Sequence, residues 1–165
     1  MVIRKIIVGV MGGGMASPSD YKIAYNLGGL IAKEGWVLLN GGRPTGIMDA
    51  SAKGAKDKGG LTVGILPAYD SHQASCYIDI PIVTGMGDGR NYINVLSSDI
   101  VVALPGKAGT ISEIALALKN RKKVILVNFD TGVLFEDYSK EGLLKDARDE
   151  DEVINIIKEE FVLKQ

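Results

Sequence analysis

The chain has 165 residues, 46% of them apolar and 24% charged, proportions of an ordinary globular protein that leave no case for disorder. Its 19 Lys and Arg against 20 Asp and Glu give a net charge of −1, which argues against nucleic acid as a partner, since that needs a basic footprint. No apolar run approaches the ~20 residues of a membrane span, so no membrane association is expected. A single cysteine, Cys76, excludes an intrachain disulfide and a cysteine-based zinc site.

Ile3 to Val10 reads as the first strand, apolar on both faces and therefore central. The N-terminus runs straight into it without the layout of a signal peptide, so a cytoplasmic protein is expected. Gly12-Gly13-Gly14 follows. Ser17-Pro18-Ser19-Asp20 marks a helix start, with proline at the first helical position, and Ile23, Leu27, Leu30 and Ile31 give that helix its apolar face. Ala24 and Gly28 on it are expected to allow close packing on a sheet. Gly35 ends the helix and Trp36 to Leu39 is the second strand. Gly41-Gly42-Arg43-Pro44-Thr45-Gly46 is a second glycine turn, opening a helix from Gly46 to Lys58. Leu61 to Leu66 is the third strand, 67–77 a loop, and Ile78 to Val83 a shorter strand. Gly85-Met86-Gly87-Asp88-Gly89 turns into a short helix, Arg90 to Ser97. Asp99 to Leu104 is a strand, followed by a helix from Thr110. Lys123 to Phe129 is the last strand, 130–148 reads as irregular, and Asp149 to Val162 is a final helix with Val153, Ile156, Ile157 and Phe161 inward.

Strand and helix alternate throughout. That predicts an α/β fold: one Rossmann-like, doubly wound domain over 1–165, with a mostly parallel sheet of six or seven strands and helices on both faces. Ligands in such folds bind beyond the carboxyl ends of the strands, at a switch in strand order. The glycine turns after the first, second, fourth and fifth strands should converge on one crevice there.

The stretch Pro105-Gly106-Lys107-Ala108-Gly109-Thr110-Ile111-Ser112-Glu113 carries the strongest signal. It passes from a strand into a helix whose apolar positions are Ile111, Ile114, Ala115 and Leu118. Backbone N–H groups are free at a helix N-terminus, and the helix dipole is positive there. A phosphate is therefore expected on Gly106, Lys107, Ala108, Gly109 and Thr110, with Thr110 offering a hydroxyl and Lys107 a charge. Gly12, Gly13, Gly14, Gly41, Gly42 and Gly46 should form the neighbouring walls. Thr110 to Glu113 also fits a capping box, with Thr110 as the cap and Glu113 reaching back to it, so both readings stand at those two residues. Arg90 opens a short helix on the crevice side, where it can clamp a phosphate or carboxylate; a structural ion pair is the alternative. Gly12 to Ser17 lacks the third glycine of a dinucleotide fingerprint, and the second strand ends in Asn40 rather than an acid, which disfavours NAD. Gly106 to Thr110 lacks Walker A spacing. His72 and Cys76 are a lone pair in a loop, and no metal is expected.

These motifs resemble those of a known family. Pro105 to Glu113 is similar to the Pro-Gly-Gly-x-Gly-Thr-x-x-Glu signature of the Lonely Guy phosphoribohydrolases, often misnamed lysine decarboxylases, and Gly41 to Met48 to their second glycine turn. Lys107 and Arg43 replace glycines of that pattern, and Asn91 replaces a lysine. Thr84 to Asn91 looks closer to the related branch of molybdenum cofactor carrier proteins. The resemblance implies a phosphorylated small-molecule ligand and a homo-oligomer, dimer or larger. It implies either a carrier with the molybdenum cofactor as cargo, or a phosphoribohydrolase cleaving the N-glycosidic bond of a nucleoside 5′-monophosphate. In the second case the catalytic pair falls on Arg90 and Glu113. Lysine decarboxylation is not expected, because no lysine has a pyridoxal-phosphate context. A module binding nucleic acid or protein is the third class the wound sheet allows. The helix from Arg90 carries Tyr92, Ile93, Val95 and Leu96 on more than one side, which suggests burial or a subunit contact.

Overall fold

The computed structural model describes residues 4–161. Its centre is a parallel sheet of seven strands in the order β4-β3-β2-β1-β5-β6-β7. The strands are β1 (Ile7–Met11), β2 (Val37–Asn40), β3 (Leu61–Leu66), β4 (Ile80–Val83), β5 (Ile100–Ala103), β6 (Val124–Val127) and β7 (Leu144–Ala147). The helices are α1 (Pro18–Lys33), α2 (Gly46–Asp57), α3 (Arg90–Ser97), α4 (Ala108–Lys119), α5 (Glu136–Lys140) and α6 (Glu150–Phe161). The expected sheet is thus parallel throughout, with β1 in the middle. The N-terminal end of the expected first strand, at Ile3, lies outside the described residues.

Two apolar layers sandwich the sheet. On one face Val8, Val10, Leu38, Ile100, Val102 and Ile125 meet Leu27 and Ile31 of α1, Ile47 of α2 and Val153 and Ile157 of α6. On the other, Met11, Leu39, Ile65, Val101, Ala103 and Leu126 meet Val95 of α3, Ile114 and Leu118 of α4 and Phe135 before α5. Burial on both faces is what makes the central strands continuously apolar rather than alternating.

Several elements differ from expectation. Residues 130–148 are not irregular: they contain a 3₁₀ turn (Gly132–Phe135), α5 and the edge strand β7. The strand was hidden because only Leu144 and Ala147 of its four residues are buried while Lys145 and Asp146 are not. Strand β4 begins at Ile80, two residues late, and all four of its residues are exposed. Gly28 serves a helix rather than the sheet: a Cβ there would overlap the Ser51 carbonyl oxygen of α2, and one at Gly54 would overlap the Tyr25 carbonyl oxygen of α1. The two glycines let α1 and α2 lie backbone against backbone. The start of α1 is as expected, with Ser17 as N-cap accepting from the Asp20 N–H at 3.1 Å and Pro18 in the first turn.

Strand order reverses between β1 and β5, the two neighbours that run out from the first strand in opposite directions. The carboxyl ends of β1, β2 and β5 carry Gly12, Gly41 and Gly106 within four residues of their last residue, so the glycine turns meet at the switch point.

Candidate functional site

The turn after β5 is built by contacts with the turn after β1. The Gly13 N–H donates to the Pro105 carbonyl at 3.0 Å, and the Gly13 carbonyl accepts from the Ile47 N–H of α2 at 3.0 Å. Gly46 adopts a positive φ of 54°, and a Cβ there would overlap that same Gly13 carbonyl. Gly13 and Gly46 therefore join three turns into one floor, and the Gly13 N–H is committed to the protein rather than to a ligand. Gly42 is likewise committed: its N–H donates to Asn40 Oδ1 at 2.8 Å and its carbonyl accepts from Ser75 N–H at 2.8 Å. Asn40, fully buried, also donates to the Met48 carbonyl and to Ser51 Oγ, so the residue standing where a ribose-binding acid would be is a structural anchor.

Helix α4 starts at Ala108 with Lys107 as its N-cap. Its first backbone bond runs from the Ile111 N–H to the Lys107 carbonyl at 3.1 Å. The N–H groups of Ala108, Gly109 and Thr110 precede that bond and stand open, as helix geometry requires. Thr110 is 3% exposed, and among the described residues its hydroxyl has no hydrogen-bond partner. The capping-box reading does not hold. Thr110 lies inside the first turn, and Glu113 turns away from it to accept from Asn94 Nδ2 of α3 at 2.8 Å. The start of the helix is set by the Pro105–Gly13 contact and by Gly106, where any Cβ would overlap the Thr110 side chain.

Arg90 and Glu113 face the same cleft without pairing. Among the described residues no salt bridge joins them. Arg90 Nη1 donates instead to the carbonyls of Gly41 and Ile65, the latter at 2.5 Å, and a side chain at position 41 would strike the guanidinium. Arg90 thus makes no salt bridge among the described residues; Nη1 ties α3 to the ends of β2 and β3, and the residue lines the cleft. Burial lowers its pKa below the ordinary arginine value, and the nearby Glu113 opposes that. Glu113 is 7% exposed. Burial pushes its carboxyl up to about 7, against the Asn94 hydrogen bond and the Arg90 charge, which both favour the carboxylate.

The cleft bounded by these residues has a volume of about 360 Å³. Of the residues expected at a phosphate site, Gly12, Gly13, Gly14, Gly41, Gly106, Lys107, Gly109 and Thr110 line it, together with Arg90 and Glu113. Gly42, Gly46 and Ala108 do not; the first two support the floor from behind. Met15, Met48 and Asp88, for which the sequence predicts no role in the site, also line the cleft, and Asn94 lies behind Glu113. Asn94 had a signal: it is a polar residue one helical turn after Arg90, on the same side of α3. Asn91, at the lysine position of the resembled pattern, lines the cleft but donates to Ser112 Oγ at 3.1 Å.

A glycine-floored cleft at the switch point of a parallel sheet, with an open helix N-terminus on one wall and a buried carboxyl on another, defines a Rossmann-like small-ligand protein. The chain belongs to the SLOG cluster4 family, whose profile matches residues 5–154. Its structure superimposes on the molybdenum cofactor binding protein of the phototrophic bacterium Rippkaea orientalis with a TM-score of 0.90 and 50% identity, over 96% of this chain and 98% of that one. It superimposes on the molybdenum cofactor carrier protein of Chlamydomonas reinhardtii with a TM-score of 0.87 and 42% identity, over 94% and 98%. A cytokinin riboside 5′-monophosphate phosphoribohydrolase of Mycobacterium tuberculosis is 36% identical over 104 residues, 60% of this chain and 56% of that protein; the match therefore spans little more than half of the hydrolase.

Proposed function

We propose that this chain binds a phosphorylated small molecule in the cleft and carries it without turnover, and that the cargo is the molybdenum cofactor, a phosphorylated pterin. The observation that carries the reading is the first turn of α4: three open N–H groups beside the Thr110 hydroxyl, which has no hydrogen-bond partner among the described residues. An anion completes all of these at once. Met15 and Met48 supply polarisable apolar surface on the same cleft, suited to the flat ring of such a cargo. The likeness over nearly the whole chain to a molybdenum cofactor binding protein and a molybdenum cofactor carrier protein supports the choice of cargo. Cofactor released from a molybdoenzyme, mixed with the protein and passed through gel filtration, is expected to elute with it. Molybdenum and the oxidised pterin's fluorescence, both at about one per cleft, are the readout. Their elution at the free-ligand volume removes the proposal.

A phosphoribohydrolase is the second reading, favoured by Glu113, whose carboxyl near 7 suits it to give or take a proton at neutral pH. It is disfavoured by Asn91, a neutral side chain tied to Ser112. Incubation with adenosine 5′-monophosphate and chromatography for free adenine separates the two; the carrier reading expects none. Self-association belongs to the same proposal: α3 leaves Tyr92 and Leu96 each 44% exposed, and we assign this face to a second copy.

A further inference from the structure

Asn94 is 0% exposed and reaches Glu113 through Nδ2, while its other amide atom, Oδ1, is buried without a hydrogen-bond partner. An orphaned buried acceptor is rare and costly. Here it sits on a side chain that hydrogen-bonds the buried carboxyl of the cleft. An amide carries a donor and an acceptor that exchange places when the group turns over. A carboxylate can only accept, whereas a carboxylic acid also donates. The two groups are therefore matched in both protonation states of Glu113.

We propose that Asn94 is the positioning residue of the cleft: its amide donates to the Glu113 carboxylate and turns over to accept from the Glu113 carboxylic acid, holding the group in place through proton uptake. In the first state Nδ2–H meets Oε1, as observed at 2.8 Å. In the second the added proton, taken from solvent through the cleft, lies between Glu113 and Oδ1; the Nδ2–Oε1 bond is given up, and Nδ2 takes the place that Oδ1 held. The charged groups around the cleft are Arg90 on α3, Asp88 in the turn before it, Lys107 before α4, and Arg43, whose charge bears on Arg90. Of these Arg90 favours the Glu113 carboxylate, while burial favours the acid. An anion seated on the α4 N-terminus would add to the side of the acid. On the cargo reading above, loading then takes up a proton and weakens as pH rises; that consequence rests on that reading, whereas the pair itself does not.

The test is carbon and nitrogen NMR on the full chain, with the Glu113 carboxyl and the Asn94 side-chain amide followed from pH 5 to 9. Both resonances are expected to move with one shared midpoint near neutrality, and the Glu113→Gln variant is expected to leave the Asn94 amide flat. In Asn94→Leu the carboxyl midpoint should rise by about 1 pH unit at most, the difference between a lost hydrogen bond to a charged group and a lost neutral one; a rise of about 2 units means that Asn94 holds the carboxylate alone and overturns the turnover, and a residue that only fills space leaves the midpoint in place. Should Asn94→Leu not fold, the wild-type titration decides alone. An Asn94 amide that stays flat while Glu113 titrates overturns the proposal. Sulfate, whose charge is constant over this range, is the anion probe: it should raise the shared midpoint. If sulfate leaves the Gly106 to Thr110 amides unmoved, the anion site of the cargo reading fails while the Asn94–Glu113 result stands. If it binds and the midpoint does not rise, the proton coupling fails and the anion site stands.

Discussion

Two residues on α4, Thr110 and Glu113, lie one turn apart and do opposite things. Thr110 is largely buried but lines the cleft, and its hydroxyl, without a hydrogen-bond partner among the described residues, stands beside open N–H groups. Removing a hydrogen bond to a charged ligand costs about 1.5–3 kcal/mol, so Thr110→Ala should weaken binding of a phosphorylated cargo about tenfold or more. A Cβ at Gly109 has no neighbour within 4 Å, so Gly109→Val puts bulk at the cleft without a clash in the fold and should weaken binding further; equilibrium titration measures both. Glu113 is a carboxyl in an apolar setting, raised to about 7. An acid whose folded pKa lies above its unfolded one binds more protons in the folded state, so stability falls as pH rises from about 4.5 to 7 and levels off beyond. Glu113→Gln keeps an acceptor for Asn94 Nδ2 and removes the charge. It should stabilise the protein at pH 8 by an amount on the order of 3 kcal/mol and have little effect at pH 4.5, compared by denaturant unfolding at the two pH values.

The elements that hold the cleft are held in turn at the sheet edge. β4 is exposed along its whole length, and its entry is fixed by Asp79 and Thr62. The Thr62 N–H donates to Asp79 Oδ2 at 3.0 Å, the Asp79 N–H donates to Thr62 Oγ1 at 2.9 Å, and Lys56 of α2 donates to Asp79 Oδ1 at 2.6 Å. Partial burial raises the Asp79 carboxyl, but these donors outweigh it and hold the group below the ordinary aspartate value. A depressed acid stabilises the fold above its unfolded pKa of about 4, and that contribution is lost as pH falls through the folded value. Asp79→Asn should lower the melting temperature at pH 7 and narrow the gap to wild type toward pH 3, as thermal unfolding across that range will show. The loop between β3 and β4 is bound to the cleft's far wall in the same manner: Ser75 Oγ donates to Asp49 of α2 at 2.7 Å.

At the scale of the whole molecule, the α3–α4 face leaves apolar surface uncovered at Tyr92 and Leu96. Tyr92 and Leu96 point out of α3, and Asn94 and Val95 point in, so the helix expected to be apolar on several sides buries one side and leaves another bare. Sedimentation at micromolar concentration should give a dimer or larger for the wild type and a monomer for Leu96→Lys, with the circular dichroism unchanged. A monomeric wild type would remove the subunit contact from the account. Among the described residues, no helix is long and apolar enough to cross a membrane.

The sequence alone determined the alternation of strands and helices, the central place of β1 and the site's glycine turns. Each of these follows from local chemistry: β-branched apolar runs such as Val101-Val102, proline after a serine cap at Pro18, glycine where a strand turns into a helix. The tertiary structure alone decided which of those residues face the cleft. Gly13 and Gly42 look like phosphate donors in one dimension, yet their N–H groups are taken by Pro105 and Asn40. Gly28 reads as a sheet contact but meets Gly54's helix, because the partner backbone is more than twenty residues away in the chain. Arg90 and Glu113 read as a pair; one is bound by carbonyls of β2 and β3 and the other by Asn94. Hydrogen-bond partners and desolvation are set by groups distant in sequence, so no local pattern carries them, and it is desolvation that lifts the Glu113 carboxyl to about 7.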